Sequence, residues 1–358
     1  MTLLVAIRGL VVEASTARGT AHLLRGIDVD IGRGRIVGVV GESGSGKSSL
    51  AACLLRLLPP NLSRLAGEIR FEGTNLVALD EDAMNGWRGA RIAMIFQDPM
   101  TALNPLFTIG THLVDVLRRR HPGMTRTAAR ARAAQALAEV GIADPELRLA
   151  AYPHELSGGM RQRVMIAMAL CAEPDLLVAD ECTTALDATV EAQIVALLDR
   201  LRRRFRGSIV FISHHLGLVA QLCDDVVVMY AGTVVETGPV AAVLADPRHP
   251  YTRALLDCEL DDPASLGDDA PASATSRGAG GRARLRSIPG EVPDPLAAHV
   301  ACLFAPRCPH AADACRAAVP ALRDAGSGRR AACIRFEDIA GEPADALARD
   351  ADVAGAGP

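Results

Sequence analysis

The chain reads as an α/β fold built around a mostly parallel sheet, and three observations say so. The apolar run Ile36-Val37-Gly38-Val39-Val40 leads straight into Gly41-Glu42-Ser43-Gly44-Ser45-Gly46-Lys47-Ser48, a glycine loop of the kind whose backbone N–H groups wrap phosphates. A second apolar run, Leu176-Leu177-Val178-Ala179, ends in the carboxylates Asp180 and Glu181. Strand and helix patterns then alternate over residues 175–258, as they do where helices cross between parallel strands.

Each element can be justified in order. Residues 1–40 read as short β-rich runs parted by turns, ending in the run before the glycine loop, which is apolar throughout because a central parallel strand is covered on both faces. Ser48 to Leu58 is a helical pattern stopped by Pro59-Pro60, since proline cannot continue a helix. Residues from about 98 to 160 are rich in helix, including the arginine–alanine run Thr125 to Val140. Ile209-Val210-Phe211-Ile212 and Val226-Val227-Val228-Met229 are further buried strands. Residues 1–258 thus form one domain. From 259 to 285 the composition turns to Asp, Pro, Ala, Ser, Gly and Arg, expected for a flexible linker. A small region at 286–340 with four cysteines follows, and 341–358 is expected to be a disordered tail.

Composition narrows the function. Of 358 residues, 49% are apolar but only 3% aromatic, so the core rests on Val, Leu, Ile and Ala. A net charge of −4 argues against nucleic acid as a partner. The arginine clusters at 118–120, 126–132 and 202–206 sit in helical patterns and read as solvated faces. No apolar run reaches the ~18–20 residues needed to cross a bilayer, and Met1 to Arg8 lacks the features of a secretory signal. The expectation is a soluble, cytosolic chain, with any membrane crossing left to separate subunits.

The chemistry begins at Lys47, the one lysine among 38 basic residues. Its compact ammonium can lie along a glycine loop and touch two phosphates, where the planar guanidinium fork is too bulky. That lysine also excludes an Asn-Lys-x-Asp guanine motif elsewhere, and with it a GTPase. At the end of the second strand, Asp180 suits a Mg²⁺ site and Glu181 the attacking water. Ser157-Gly158-Gly159, just before a helical pattern, makes a second anion site. A domain with its own phosphate loop needs a second such site only to serve the nucleotide of a partner domain.

These motifs resemble the ATPase subunit of an ABC transporter, and more closely that of bacterial dipeptide and oligopeptide importers. Gly41 to Ser48 is similar to Walker A, Ile95-Phe96-Gln97-Asp98-Pro99 to Asn104-Pro105 to the Q-loop, and Leu156 to Gln162 to the ABC signature. Ala179-Asp180-Glu181 and Thr183 to Asp187 are similar to Walker B and the D-loop, and Ser213-His214 to the switch histidine. His249 to Leu256 resembles a segment closing the ATPase domain of peptide importers. The implied fold is a P-loop ABC ATPase with a parallel sheet core, an antiparallel β subdomain, a helical insertion and a small C-terminal cysteine-containing extension.

The resemblance also implies roles. Gly41, Glu42, Ser43, Gly44, Ser45, Gly46, Lys47, Ser48 and Ser49 bind the ATP phosphates. Ser48, Gln97 and Asp180 hold Mg²⁺. Glu181 is the general base, His214 touches the γ-phosphate, and Gln97 relays occupancy to the permease. Ser157, Gly158, Gly159 and Asp187 act across a dimer of ATPases. The implied partners are two permease subunits, a second related ATPase and, indirectly, an extracytoplasmic solute-binding protein. The implied place is the cytoplasmic face of the inner membrane. An importer for another small solute such as a nickel chelate, or a non-transport ABC ATPase, are the alternatives. Three positions depart from the family: Cys182 stands where proline follows the glutamate, His215 where aspartate follows the histidine, and Ala14 near the expected adenine-stacking aromatic. Oxidation of the Cys182 thiol is expected to slow turnover.

Cys302, Cys308, Cys315 and Cys333 are separated by five, six and seventeen residues. Zinc sites usually show a closer pair, and the wider spacing with Cys308-Pro309 suits an iron–sulfur cube better than zinc or free thiols. The text around them, Phe304 to His310, resembles the peptide-importer extension, which implies a [4Fe–4S] cluster of structural or regulatory role.

Overall fold

The fold rests on two sheets. It is described here from a computed structural model covering residues 2–182, 188–202, 205–260 and 287–339. In chain order the strands are β1 (Leu3–Thr16), β2 (Gly19–Gly32), β3 (Ile36–Val40), β4 (Leu62–Phe71), β5 (Thr74–Asn75), β6 (Ile92–Ile95), β7 (Leu176–Asp180), β8 (Ser208–Ile212), β9 (Asp225–Tyr230), β10 (Thr233–Pro239), β11 (Arg323–Gly326) and β12 (Arg329–Ala331). Four form an antiparallel sheet in the order β2-β1-β4-β5. The other eight run β11-β12-β10-β9-β3-β8-β7-β6, and the stretch from β9 to β6 is parallel.

The short runs expected over residues 1–40 are instead two strands of 14 residues. Register shifts let them bend without ending, and Gly9 and Gly26 take positive φ (55° and 85°) beside them, the backbone that glycine adopts without strain. Both glycines thus sit at irregularities of the strand pairing rather than at strand ends. In the parallel sheet every residue of β3 and β7 is buried, as their unbroken apolar sequences require. Val39 pairs with Ile212 and Asp180 with Ile212 on the other side, so the ends of β3, β8 and β7 lie side by side. Ligands of open α/β sheets gather at such carboxyl ends.

The helix after the glycine loop runs only over Lys47–Leu55, not to Pro59. Arg56 turns left-handed (φ 50°) and its N–H closes on the Ala52 and Cys53 carbonyls, a C-cap that ends the helix before proline acts. A helical insertion follows β6. Its helices Pro99–Ala102, Ile109–Arg120, Arg126–Glu139 and Gly158–Cys171 start at Asp98, Thr108, Thr125 and Ser157, whose side chains each accept a backbone N–H. Among the described residues no helix is long and apolar enough to cross a membrane.

The C-terminal region is built into the main sheet. Strand β12 pairs antiparallel with β10, Glu236 opposite Ala331, and Phe304 packs edge-on against Tyr230 and Tyr251 with ring centroids 5.3 and 5.4 Å apart. Residues 261–286 and 340–358, which include most of the expected linker and the tail, lie outside the described residues.

This seam buries a histidine. His249 is 2% exposed, its Nδ1 accepts the Tyr251 N–H at 3.0 Å, and its own N–H reaches the buried Glu236 carboxylate at 2.9 Å. Burial pulls its imidazole down from 6.5 to about 3. Between those values the unfolded chain binds the extra proton, so this contribution to stability is complete above about pH 6.5 and is lost as pH falls through the window. His249→Gln, which keeps an acceptor for Tyr251, is expected to lose less stability than the parent between about pH 7 and 5, read as the shift in urea midpoint.

Candidate active site

The glycine loop takes its shape from positions that only glycine fits. Gly41, Gly44 and Gly46 have φ of 149°, 79° and 101°, and a Cβ on Gly41 would stand 2.1 Å from the Met229 carbonyl oxygen. The Ser45 N–H closes the loop on the Glu42 carbonyl at 3.1 Å. Inside it, Lys47 is 4% exposed, and its ammonium donates to the Gly41 and Glu42 carbonyls at 2.7 and 3.0 Å. Burial lowers the Lys47 pKa, while Glu181, Asp180 and Glu42 pull it back up.

The end of β7 brings the carboxylates to this loop. The Ser48 hydroxyl donates to Asp180 Oδ1 at 3.3 Å. Burial pushes the Asp180 carboxyl up and the Ser48 bond pulls it down. Glu181 follows in a left-handed turn (φ 43°), its N–H held by the Ile212 carbonyl at 3.1 Å, and its Oε2 accepts the Gln97 side-chain amide at 2.9 Å. Ser43, Gly44, Lys47, Ser48, Gln97 and Glu181 line one cavity of about 520 Å³. A larger one of about 960 Å³, near Arg33, Arg120 and Arg200, contains none of them, so chemistry rather than size selects the smaller. The hydroxyl and carboxylate oxygens of Ser48 and Asp180 beside a phosphate loop are hard donors that suit Mg²⁺.

His214 is exposed and lies against half-buried His215, the two rings tilted by 45° with centroids 4.0 Å apart. Its imidazole lies below its usual value, first through partial burial and then through His215, with Glu181 acting in the opposite sense. Ser157 caps the Gly158–Cys171 helix by accepting the Met160 N–H at 3.3 Å, and a Cβ on Gly159 would press to 2.6 Å on Val190. Ser157, Gly158 and Gly159 do not line the Lys47 cavity. Asp187 and Thr183 to Leu186 lie outside the described residues.

One sequence expectation changes. Cys182 is 2% exposed and burial pushes its thiol up to about 12. The nucleophilic thiolate is therefore negligible near neutrality, and Cys182 is a core residue, not an oxidation switch. The four late cysteines line one small apolar cavity with His249 and Phe304, where burial raises the thiols of Cys302, Cys308 and Cys333. The donor set is all thiol, yet among the described residues no three or more His, Cys, Asp or Glu side chains are gathered as a metal-holding group.

Sequence reasoning also missed the braces around the loop. The Glu42 N–H donates to the Tyr251 hydroxyl at 2.7 Å. Arg307 makes a two-pronged ion pair with Glu42 at 2.7 and 3.0 Å, and these bonds hold its guanidinium above the usual arginine range. The pair is separated by 265 residues, and neither side carries a local signal.

Comparison with known proteins agrees with this geometry. The model of the ABC transporter family matches residues 24–184, and that of the oligopeptide/dipeptide transporter C-terminal region matches 235–277 and 271–315. The probable peptide ABC transporter ATP-binding protein y4tR of Sinorhizobium fredii is 44% identical over 338 residues, 94% of this chain and 96% of its own. The dipeptide transport ATP-binding protein DppD of Escherichia coli is 44% identical over 317 residues, covering 88% and 92%. A solved ATP-binding cassette, a dimer in a post-hydrolysis state with ADP and phosphate, aligns with 66% of this chain and 98% of its own at TM-score 0.59 and 25% identity.

Because Gly41 combines positive φ with a backbone wall, Gly41→Ala is expected to destabilise the protein by more than about 1 kcal/mol. Chemical denaturation checks this.

Proposed function

The chain belongs to the ABC transporter family of ATP-binding proteins, in the group carrying the oligopeptide/dipeptide transporter C-terminal region, and from that premise we propose that it is the ATP-hydrolysing subunit of a peptide importer. One observation carries the reading: Lys47, Ser48, Gln97 and Glu181 share a cavity, with Asp180 bonded to Ser48 at its edge.

The residues divide the work by position. The Lys47 ammonium, held by two loop carbonyls, exchanges them for phosphate oxygens when ATP enters. Gln97 orients the Glu181 carboxylate, which accepts the proton of the water that attacks the γ-phosphate. His214, neutral near pH 7 because burial and His215 lower its pKa, can donate one ring N–H to the γ-phosphate. Ser48, Gln97 and Asp180 offer the oxygen donors for Mg²⁺, which when bound neutralises phosphate charge. Ser157, Gly158, Gly159 and Asp187 serve the nucleotide of a second ATPase, in the manner of a cassette dimer.

The surface supports a membrane-bound partner. Met100, Leu106, Phe107 and Tyr152 are 62%, 80%, 51% and 40% exposed. They sit together beyond Gln97, because Ile109 N–H bonds the Ala151 carbonyl and Arg161 bridges Met100 to the Pro153 carbonyl. In the proposal this patch receives the permease at the cytoplasmic face of the membrane, and Gln97 links it to the ATP. A solute-binding protein delivers the peptide outside. The four cysteines belong to the same reading as holders of a [4Fe–4S] cluster, supported by their shared apolar cavity.

Reconstituted with its companion subunits, Glu181→Gln is expected to lower ATP turnover at least about 100-fold while ATP still binds; turnover at the parent rate would overturn the reading. Leu106→Asp is expected to release the chain from the permeases in co-purification without changing ATP binding. Anaerobically purified protein is expected to hold about four iron and four sulfide per chain; one zinc and no sulfide would remove the cluster.

A further inference from the structure

The catalytic cavity has a second end with no assigned role. Its hydrolytic end is fixed by Gln97 and Glu181. The same cavity is also lined by Leu23, Ala231 and the segment Val292 to Pro295, and the loop adjoins them where a Cβ on Gly46 would meet the Leu23 carbonyl oxygen at 3.0 Å. A nucleotide whose phosphates lie on the loop must place its base at that far end. Position 14 cannot receive it: Ala14 is 4% exposed and is paired with Ala21 and Leu62 inside the antiparallel sheet. Among the described lining residues, the imidazole of His22 is the one aromatic ring, and its Nδ1 lies 3.1 Å from Glu13.

Resting on the nucleotide reading above, we propose that the Val292 to Pro295 segment of the C-terminal extension is the base-binding wall of this site. The segment is fixed where a wall is needed. The His22 N–H donates to the Pro295 carbonyl at 2.9 Å, and Arg25 reaches the Pro295 and Ala297 carbonyls at 3.1 and 2.8 Å. Arg18 pairs with Asp294 at 2.6 Å, and Asp294 in turn accepts the Leu296 N–H at 3.0 Å. On its other side Arg307 bonds the Ile288 and Pro289 carbonyls while gripping Glu42 of the phosphate loop. Val292, Pro293 and Pro295 line the cavity together with Leu23 and give it a stiff apolar side. Two prolines in four residues leave little freedom to lose when a flat base settles on them. Base affinity in this chain is thus set by residues more than 240 positions from the phosphate loop.

The test compares ATP with inorganic tripolyphosphate, each with Mg²⁺, on the full-length protein by calorimetry. The parent is expected to bind ATP at least about tenfold more tightly than tripolyphosphate, and Val292→Asp to erase most of that margin while tripolyphosphate affinity stays unchanged. Pro293→Gly, which keeps the backbone path, is expected to act the same way more weakly, and thermal melts confirm that each variant is folded. A folded Val292→Asp protein that keeps the margin overturns the proposal, as does an equal loss for both ligands, which would mean the segment merely supports the loop. If the parent binds neither ligand, the nucleotide reading fails first and takes the proposal with it.

Discussion

The site is organised by one cation turned in on its own loop. The Lys47 ammonium is almost out of water and draws the Gly41 and Glu42 carbonyls toward it. That contact holds the loop open in the shape of an anion before any anion arrives. The cost of burying a charge is offset in part by these carbonyls and by Glu181, Asp180 and Glu42 nearby. The glycines permit the curl, β3 and β9 supply the rigid floor, and the carboxylates at the end of β7 come to the same point because β7 lies two strands from β3 in a parallel sheet. Were the floor to shift, the lysine would lose its cradle and the carboxylates their distance from it.

The outer support of that loop comes from the far end of the chain. Tyr251 holds the Glu42 backbone and Arg307 its carboxylate. The Arg307 side chain is only 4% exposed, and an ion pair with both prongs engaged and little water access is stronger than an ordinary surface pair. Strands β11 and β12 then continue the sheet that carries the loop. The extension and the ATPase region are thus one packed unit along this edge, and a change in the thiol cavity beside Cys308 lies one residue from the arginine that grips the phosphate loop.

What the sequence made legible were features with local causes. Buried parallel strands are apolar at every position, so β3, β7, β8 and β9 could be read within a residue or so of their ends. The phosphate loop, the strand-end carboxylates and the Ser157 cap are fixed-spacing patterns with a physical reason for each residue. The helix stop at Arg56 was missed because a left-handed arginine has no compositional mark, whereas Pro59-Pro60 does. The length of β1 and β2 was missed because Gly9 and Gly26 look like turns until the pairing partner is known. The Arg307–Glu42 clamp and the Val292 to Pro295 wall are contacts between distant segments, invisible without the fold. Cys182 was misjudged because adjacency to Glu181 in sequence says nothing of its burial.

A single primary amine side chain in the whole protein has a practical corollary. Acylating reagents that seek lysine find just one side-chain target here, and it is shielded inside the cleft by its neighbours. Whatever modification they achieve on side chains is therefore a direct readout of how open that cleft is. Read at that side chain, amine footprinting is a gauge of how open the cleft is.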